Sequence, residues 1–440
     1  MIGIAMSQSN HPPIVRPFAG IRYNAAVAGE LSVLLCPPYD IISPEQQREL
    51  YLKSPYNMIR LEHPLPSDDD TGDELARYKV AAATYREWLR NGVLVRDAEA
   101  ALYVHDHSFV FRGKSHVRRG LVASVLLRPW YQGVYPHELT GTKAKQDRLE
   151  LMRACRTSFS YPLGLYEDAA GTIGALVEDA IRSLAPVQVH EDVDSHVFWS
   201  IRDAQILARV QEAFSAESIY VADGHHRYET GLVYQRERRA TERSKGVGER
   251  SYDFIPMTLA AFDDPGLFIS PVYRVLRGFH LPEMAQIEKR LEEFFAIDFV
   301  PVERALARSA PVGEMALMAV VGLRSGLVAE LRPRPGLELG ALVPGEHSSE
   351  YRTFNVSILN HVVMTKALGI NPDGEGVSYS PDLDDVVHSV QSGSAQLAFL
   401  LAPAHPRLVK KISDQMERMP RKSTYFYPKA PTGLVAYALD

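Results

Sequence analysis

The sequence predicts an α+β protein, with mixed sheets and flanking helices followed by a second α+β domain. Three observations lead there. The chain has 440 residues, 46% of them hydrophobic and 23% charged, which is an ordinary globular composition and too long for one domain of about 150 residues. Helical and strand periodicities interleave from end to end without an internal repeat. Residues 101–127 alternate as a hairpin, and strands and helices then follow unevenly, which favours α+β over a doubly wound parallel sheet.

Taken in order, residues 1–15 read as a flexible tail, with Met6 as an alternative start. In LLCPPYDIISPEQQREL, Ser43 is placed to cap a helix that opens on Pro44. The acidic run SDDDTGDE precedes ELARYKVAAATYREWLRNG, a helix with Leu75, Tyr78, Ala82, Tyr85 and Leu89 on its apolar side and Gly92 at its end. ALYVHDHSFVFRGKSHVRRGLVASVLL gives two strands around an Arg-Gly-Lys-Ser turn. KAKQDRLELMRACR is a helix, GLYED a strand, TIGALVEDAIRSLA a helix, HVFWSI a strand and DAQILARVQEAFSA a helix. A charged stretch at 236–251 without large apolar residues suggests a boundary, so the expected domains are 16–245 and 250–440. The second half begins with strands in YDFIPMTLAAF and PVYRVLRGF and continues in the same mixed manner.

The net charge is −6 with acids and bases well mixed, which gives no overall pull toward nucleic acid or an anionic membrane. No segment reaches the roughly 18 apolar residues of a membrane span, and the first residues lack the pattern of a signal peptide. Two cysteines, Cys36 and Cys155, form no CxxC; a reducing, cytoplasmic setting is expected. Helix-turn-helix, Walker, Rossmann and nucleophile-elbow motifs are absent from the sequence.

The richest stretch is IYVADGHHRYETGL, residues 219–232. A short β-prone run, an Asp-Gly turn and helical spacing read as strand, tight turn, helix. The first N–H groups of a helix have no intrahelical partners and carry the positive end of its dipole. Asp or Glu would suit that end, yet His225, His226 and Arg227 stand there, a conflict that a bound phosphate removes. Gly224 would let the backbone approach the anion. Read from sequence, Arg227 is an exposed side chain. The alternatives are a surface turn capped by Asp223 and, third, a zinc or dinuclear site.

Three further groups have two readings each. Asp40 in PPYD is either part of a rigid proline loop or a carboxylate presented as a general base or to magnesium. Lys143, Lys145 and Arg148 form an exposed helix face or a second anion contact. Arg421, Lys422 and Lys429, interleaved with Tyr425, Phe426 and Tyr427, belong to a packed strand or to a surface that holds a nucleotide. His105, His107, His137 and Glu138 read as surface or internally satisfied residues.

ADGHHRYET at 222–230, PPYDIIS at 37–43, KAKQDRLELMRA and MPRKSTYFYPKAPTGL together resemble the domain-of-unknown-function 1015 family (DUF1015), over nearly the whole chain. That family is similar to ParB and sulfiredoxin-like proteins, among them nucleotide-dependent free-serine kinases. The resemblance implies a ParB/sulfiredoxin-like core in which Gly224, His225, His226 and Arg227 meet phosphates of ATP or ADP with Mg2+. It also implies that Asp40, or else Asp223, takes the proton of a small hydroxyl substrate such as L-serine. A ParB-like nucleotide-binding regulator and a metal-dependent phosphoester hydrolase are the other readings. Metal ligands and oligomeric state are left unassigned, and nucleic-acid and membrane partners are not expected.

Overall fold

Residues 102–126 form the hairpin that their alternation predicts: Leu102–Phe111 pairs antiparallel with Lys114–Leu126. Its two-residue turn is Arg112-Gly113, both at positive φ (51° and 73°), the backbone that matches the twist of hairpin strands. The structure, a computed structural model, describes residues 14–65, 75–190, 194–241, 248–278, 284–306 and 316–440. The acidic run before the first long helix, and all but the last two residues of the expected tail, lie outside the described residues.

By contacts the chain forms two compact units. The first takes Met1–Pro136, Thr140–Leu267 and Pro428–Asp440; the second takes His137–Leu139 and Phe268–Tyr427. In the first, a nine-stranded mixed sheet runs Val134–Tyr135, Ile219–Asp223, Leu163–Tyr166, Phe254–Ala261, Lys114–Leu126, Leu102–Phe111, Ser195–Ile201, Val187–His190, with Val15–Arg16 beside Lys114–Leu126. Two of its pairings are parallel, those of Ile219–Asp223 with Val134–Tyr135 and of Phe254–Ala261 with Leu163–Tyr166.

Alternate residues feed opposite faces of this sheet. Leu121, Ala123 and Val125 join Ile255, Met257 and Leu259 in a core closed by the helices Thr172–Ile181 and Ala204–Phe214, which contribute Ile173, Leu176, Val177, Val210 and Phe214. Val122 and Phe254 point the other way, to Tyr103, Phe198, Tyr234 and Tyr437. A third cluster gathers around the helix Ala76–Arg90. There Tyr78, Ala82 and Tyr85 are buried as their spacing predicts, but Ala81 and Trp88 complete the face while Leu75 and Leu89 are 45% and 36% exposed. The side chains at one-turn spacing that weigh most are the aromatic ones, and they set the orientation.

The second unit is built on a six-stranded, wholly antiparallel sheet in the order Phe295–Pro301, Leu327–Pro333, Met318–Val321, Leu397–Leu401, Tyr273–Leu276, Val377–Ser380. Both units are α+β. No described helix is long and apolar enough to cross a membrane.

Candidate functional site

The strand Ile219–Asp223 ends where the sequence places the turn, and the helix His225–Thr241 starts directly after it. Gly224 has φ of 80°. A Cβ there would lie 2.8 Å from Arg227 Nε and 2.9 Å from Pro162 Cα. Glycine is therefore required twice, for the left-handed backbone and for the guanidinium packed against it.

Arg227 is not the exposed side chain expected from its sequence position; it is 7% exposed. One nitrogen donates to Asp223 Oδ2 at 2.6 Å and another to the Tyr161 carbonyl at 2.7 Å, while Nε is buried with no hydrogen-bond partner. The reason is tertiary. Leu163–Tyr166 pairs antiparallel with the strand that ends at Asp223, so Tyr161 and Pro162 arrive over the turn and cover it. Lys429, from the segment Pro428–Asp440, ion-pairs with Asp223 Oδ1. Burial by itself would raise the Asp223 carboxyl; Lys429 and then Arg227 outweigh it and hold the group far below the usual carboxylate range. A carboxylate so fully engaged is a weak base, and its geometry is that of a clamp on the two cations.

Asp40 sits in the short turn Tyr39–Ile41 and is exposed. Its charge reaches both cations. Burial disfavours the charged form of Arg227, but Asp223 and next Asp40 restore it; the same two acids restore Lys429 against its burial. The turn is pinned from below. Arg148 lies over the Tyr39 ring at 4.0 Å, donates to the Glu62 carbonyl at 2.8 Å and to Asp147 at 2.5 Å, and approaches the Glu62 carboxylate at 3.4 Å. Burial raises the Glu62 carboxyl, with Arg148, Ser160 and Arg227 pulling it back. The Tyr39 hydroxyl is pushed by burial up to about 12 despite Arg148 and Arg227. Glu62, Arg148, Ser160, Arg227 and Thr230 line one narrow cleft.

The remaining expected residues are dispersed. His225 is buried, with its ring 6.2 Å from Trp130. His226 Nε2 accepts the Gly141 N–H at 2.8 Å, so this ring fixes the start of the helix Thr142–Cys155 and its lone pair is committed there. Lys145 pairs with Glu229 at 3.0 Å, and the Lys143 side chain lies outside the described residues. Arg148 is a buried structural cation and not part of an exposed face. Arg421 and Lys422 are exposed and belong to the second unit. Among the described residues no three His, Cys, Asp or Glu side chains are arranged to hold a metal ion.

Sequence reasoning missed Glu62, Tyr161 and Arg118. Glu62 sits in IRLEHP, a four-residue helix too short to show a period. Arg118 is buried, donates to the Pro428 carbonyl at 2.8 Å and is drawn down by burial to about 10 against the pull of Asp264, Asp223 and Asp194. Arg118 stands in the polar stretch KSHVRRG before the apolar run begins at Leu121, so the local sequence carries no signal of its burial.

Comparison with known proteins places the chain in a family. The profile of the DUF1015 family, proteins of unknown function, matches residues 15–360, and the chain belongs to that family. No curated protein was found to match. Among solved structures, a free serine kinase in complex with AMP is similar at 11% identity, over 70% of this chain and 88% of its own, with a TM-score of 0.35. SbnI from Staphylococcus aureus, truncated at its C-terminus, is similar at 9% identity over 72% and 87%, with a TM-score of 0.36. A conserved hypothetical protein from Pyrococcus furiosus follows at 12% over 69% and 92%, with a TM-score of 0.31.

Proposed function

We propose that the protein is a nucleotide-dependent phosphotransferase acting on a small hydroxyl metabolite, with free L-serine as the first substrate to test. The observation that carries the reading is the Gly224 turn, where a helix begins against two buried cations, Arg227 and Lys429, and the exposed Asp40 lies within electrostatic reach of both. A helix N-terminus and fixed cations stabilise charge on a transferring phosphoryl group. In this reading ATP is the donor and ADP the product. Asp40 takes the substrate proton, because it is the solvent-facing acid of the group; Asp223 holds Arg227 and Lys429 in place instead. L-serine is preferred because the DGHHR turn resembles the DGxHR-type motif of free-serine kinases, whereas PPYD does not share their sequence context.

A carboxylate that ligates magnesium is not free to take a proton, so with Asp40 as the base the ion would be held by the nucleotide phosphates and water. When bound, the ion would neutralise phosphate charge. Incubating the full chain with ATP, Mg2+ and L-serine and following phosphoserine by mass spectrometry tests the proposal. Phosphoserine formed by the wild type and lost in Asp40→Asn supports it; ATP that is neither bound nor consumed with any small hydroxyl compound overturns it.

A further inference from the structure

Away from the turn, the same sheet buries a row of basic side chains. His196, His107 and Arg118 occupy directly paired positions on three adjacent strands, His196 opposite His107 and His107 opposite Arg118. His105, two residues before His107, adds a third imidazole on that face. The residues are 1%, 1%, 4% and 4% exposed in that order. His105 Nε2 and His196 Nδ1 lie 3.0 Å apart and share one proton. His107 Nε2 donates to Asp194 at 2.9 Å, and its Nδ1 is buried without a hydrogen-bond partner. Ring centroids of His107 and His196 are 4.4 Å apart.

The surroundings decide what such a cluster does. Phe198 flanks His105, and Phe109 flanks His107 with His116 beyond it. Asp194 is the acid on the cluster itself; Asp264 and Asp223 act on Arg118. The Asp106–Arg119 pair stands at alternate positions of the same two strands, on the opposite face, and the side chain of His190 is outside the described residues. A metal ion does not suit the site: the donors do not converge on one point, and the buried guanidinium of Arg118 opposes a dication. A proton is the small cation that the unpartnered Nδ1 can take.

We propose that the His105–His107–His196 cluster is a proton-operated latch on the candidate site: a proton taken up by the row repels Arg118, which lets go of the Pro428 carbonyl and loosens Lys429 from Asp223. Like charges directly opposite each other on paired strands are destabilising. Arg118 takes the repulsion first, because it is the cation directly opposite His107 on the neighbouring strand, and it also holds the Pro428 carbonyl. The next residue along is Lys429, the partner of Asp223. Burial supports the direction: it keeps His105 neutral and lowers His196 to about 3 in the closed row, so a proton is bound more tightly once the row is open, and acidification favours the released state. The consequence for catalysis rests on the phosphotransferase reading, whereas the latch does not.

Amide hydrogen exchange over residues 428–434 of the full chain, at about pH 7.5 and about pH 5.5 and corrected for intrinsic rates, tests the latch without any nucleotide. Thr432 N–H, bonded to the Cys36 carbonyl at 2.8 Å, reports within that segment. Wild type loses about ten-fold in protection on acidification, the effect of one unit of displaced pKa. His107→Gln loses clearly less protection on acidification than wild type, and Arg118→Gln is unprotected at both. If His107→Gln does not fold, His196→Asn makes the same comparison. Equal protection of the wild type at the two pH values, or the same loss in the histidine variant, overturns the latch and leaves the phosphotransferase reading untouched.

Discussion

Truncating Arg227 to alanine removes a guanidinium that is 7% exposed and bonded to Asp223 at 2.6 Å and to the Tyr161 carbonyl at 2.7 Å. Breaking a buried ion pair from one side costs about 3–5 kcal/mol. Relief of a cation at a helix N-terminus returns about 0.3–1 kcal/mol, and Lys429 still compensates Asp223. The net expectation is a loss of about 2–4 kcal/mol, against about 0–1 kcal/mol for an exposed arginine. Urea unfolding of the two full chains measures it. The pH dependence supplies a second check. Asp223 has a folded pKa below its unfolded value of about 3.9, so its pairing contributes fully above about pH 4 and is lost as the pH falls through the folded value. Wild type and Arg227→Ala should differ most near neutrality and converge in acid. A difference below about 1 kcal/mol at neutral pH would refute the burial of this side chain as the organising feature of the turn.

Gly224→Ala places a side chain at φ of 80° and a Cβ under 3.0 Å from Arg227 and Pro162; thermal and urea melts should show a loss of about 2–4 kcal/mol. Asp40→Asn removes a charge that supports Arg227 and Lys429, so stability falls by no more than about 1 kcal/mol while phosphoryl transfer is abolished, which a melt and a product assay on one preparation separate. Glu62 has a folded pKa raised by burial, so its charged form opposes folding as the pH rises above the unfolded value; Glu62→Gln should flatten stability against pH in that range. The buried imidazoles have folded pKa values below the unfolded 6.5, so stability should fall by about 1.4 kcal/mol per pH unit for each such group as the pH drops below about 6.5. His107→Gln should reduce that slope, and an unchanged slope would contradict it.

Much of the local structure was legible in the sequence because it is locally specified. The strand Ile219–Asp223, its glycine turn and the following helix stand where IYVADGHHRYETGL puts them, and Ser43 does accept the Gln46 N–H at the start of Pro44–Lys53. The charge of Arg227 was legible, but its burial was not. That burial is produced by Tyr161 and Pro162, 66 and 65 residues earlier in the chain, and such coverage leaves no trace in a local pattern. Lys429 was expected to meet an anion, and the anion it meets is Asp223 of the protein itself. The histidine row was passed over because its members come from separate strands. His105 and His107 at i and i+2 show that one face of a strand is basic, while only the register brings His196 and Arg118 into line.

The account turns on whether phosphate is held at the Gly224 turn. A crystal structure of the full chain with ADP or a non-hydrolysable ATP analogue tests that most directly. The account predicts a nucleotide phosphate within about 3.2 Å of backbone N–H groups among residues 225–227, with Asp40 facing the terminal phosphate position. A nucleotide bound elsewhere, or a well-ordered structure grown at saturating nucleotide with the turn sealed by Tyr161 and Pro162, would contradict it.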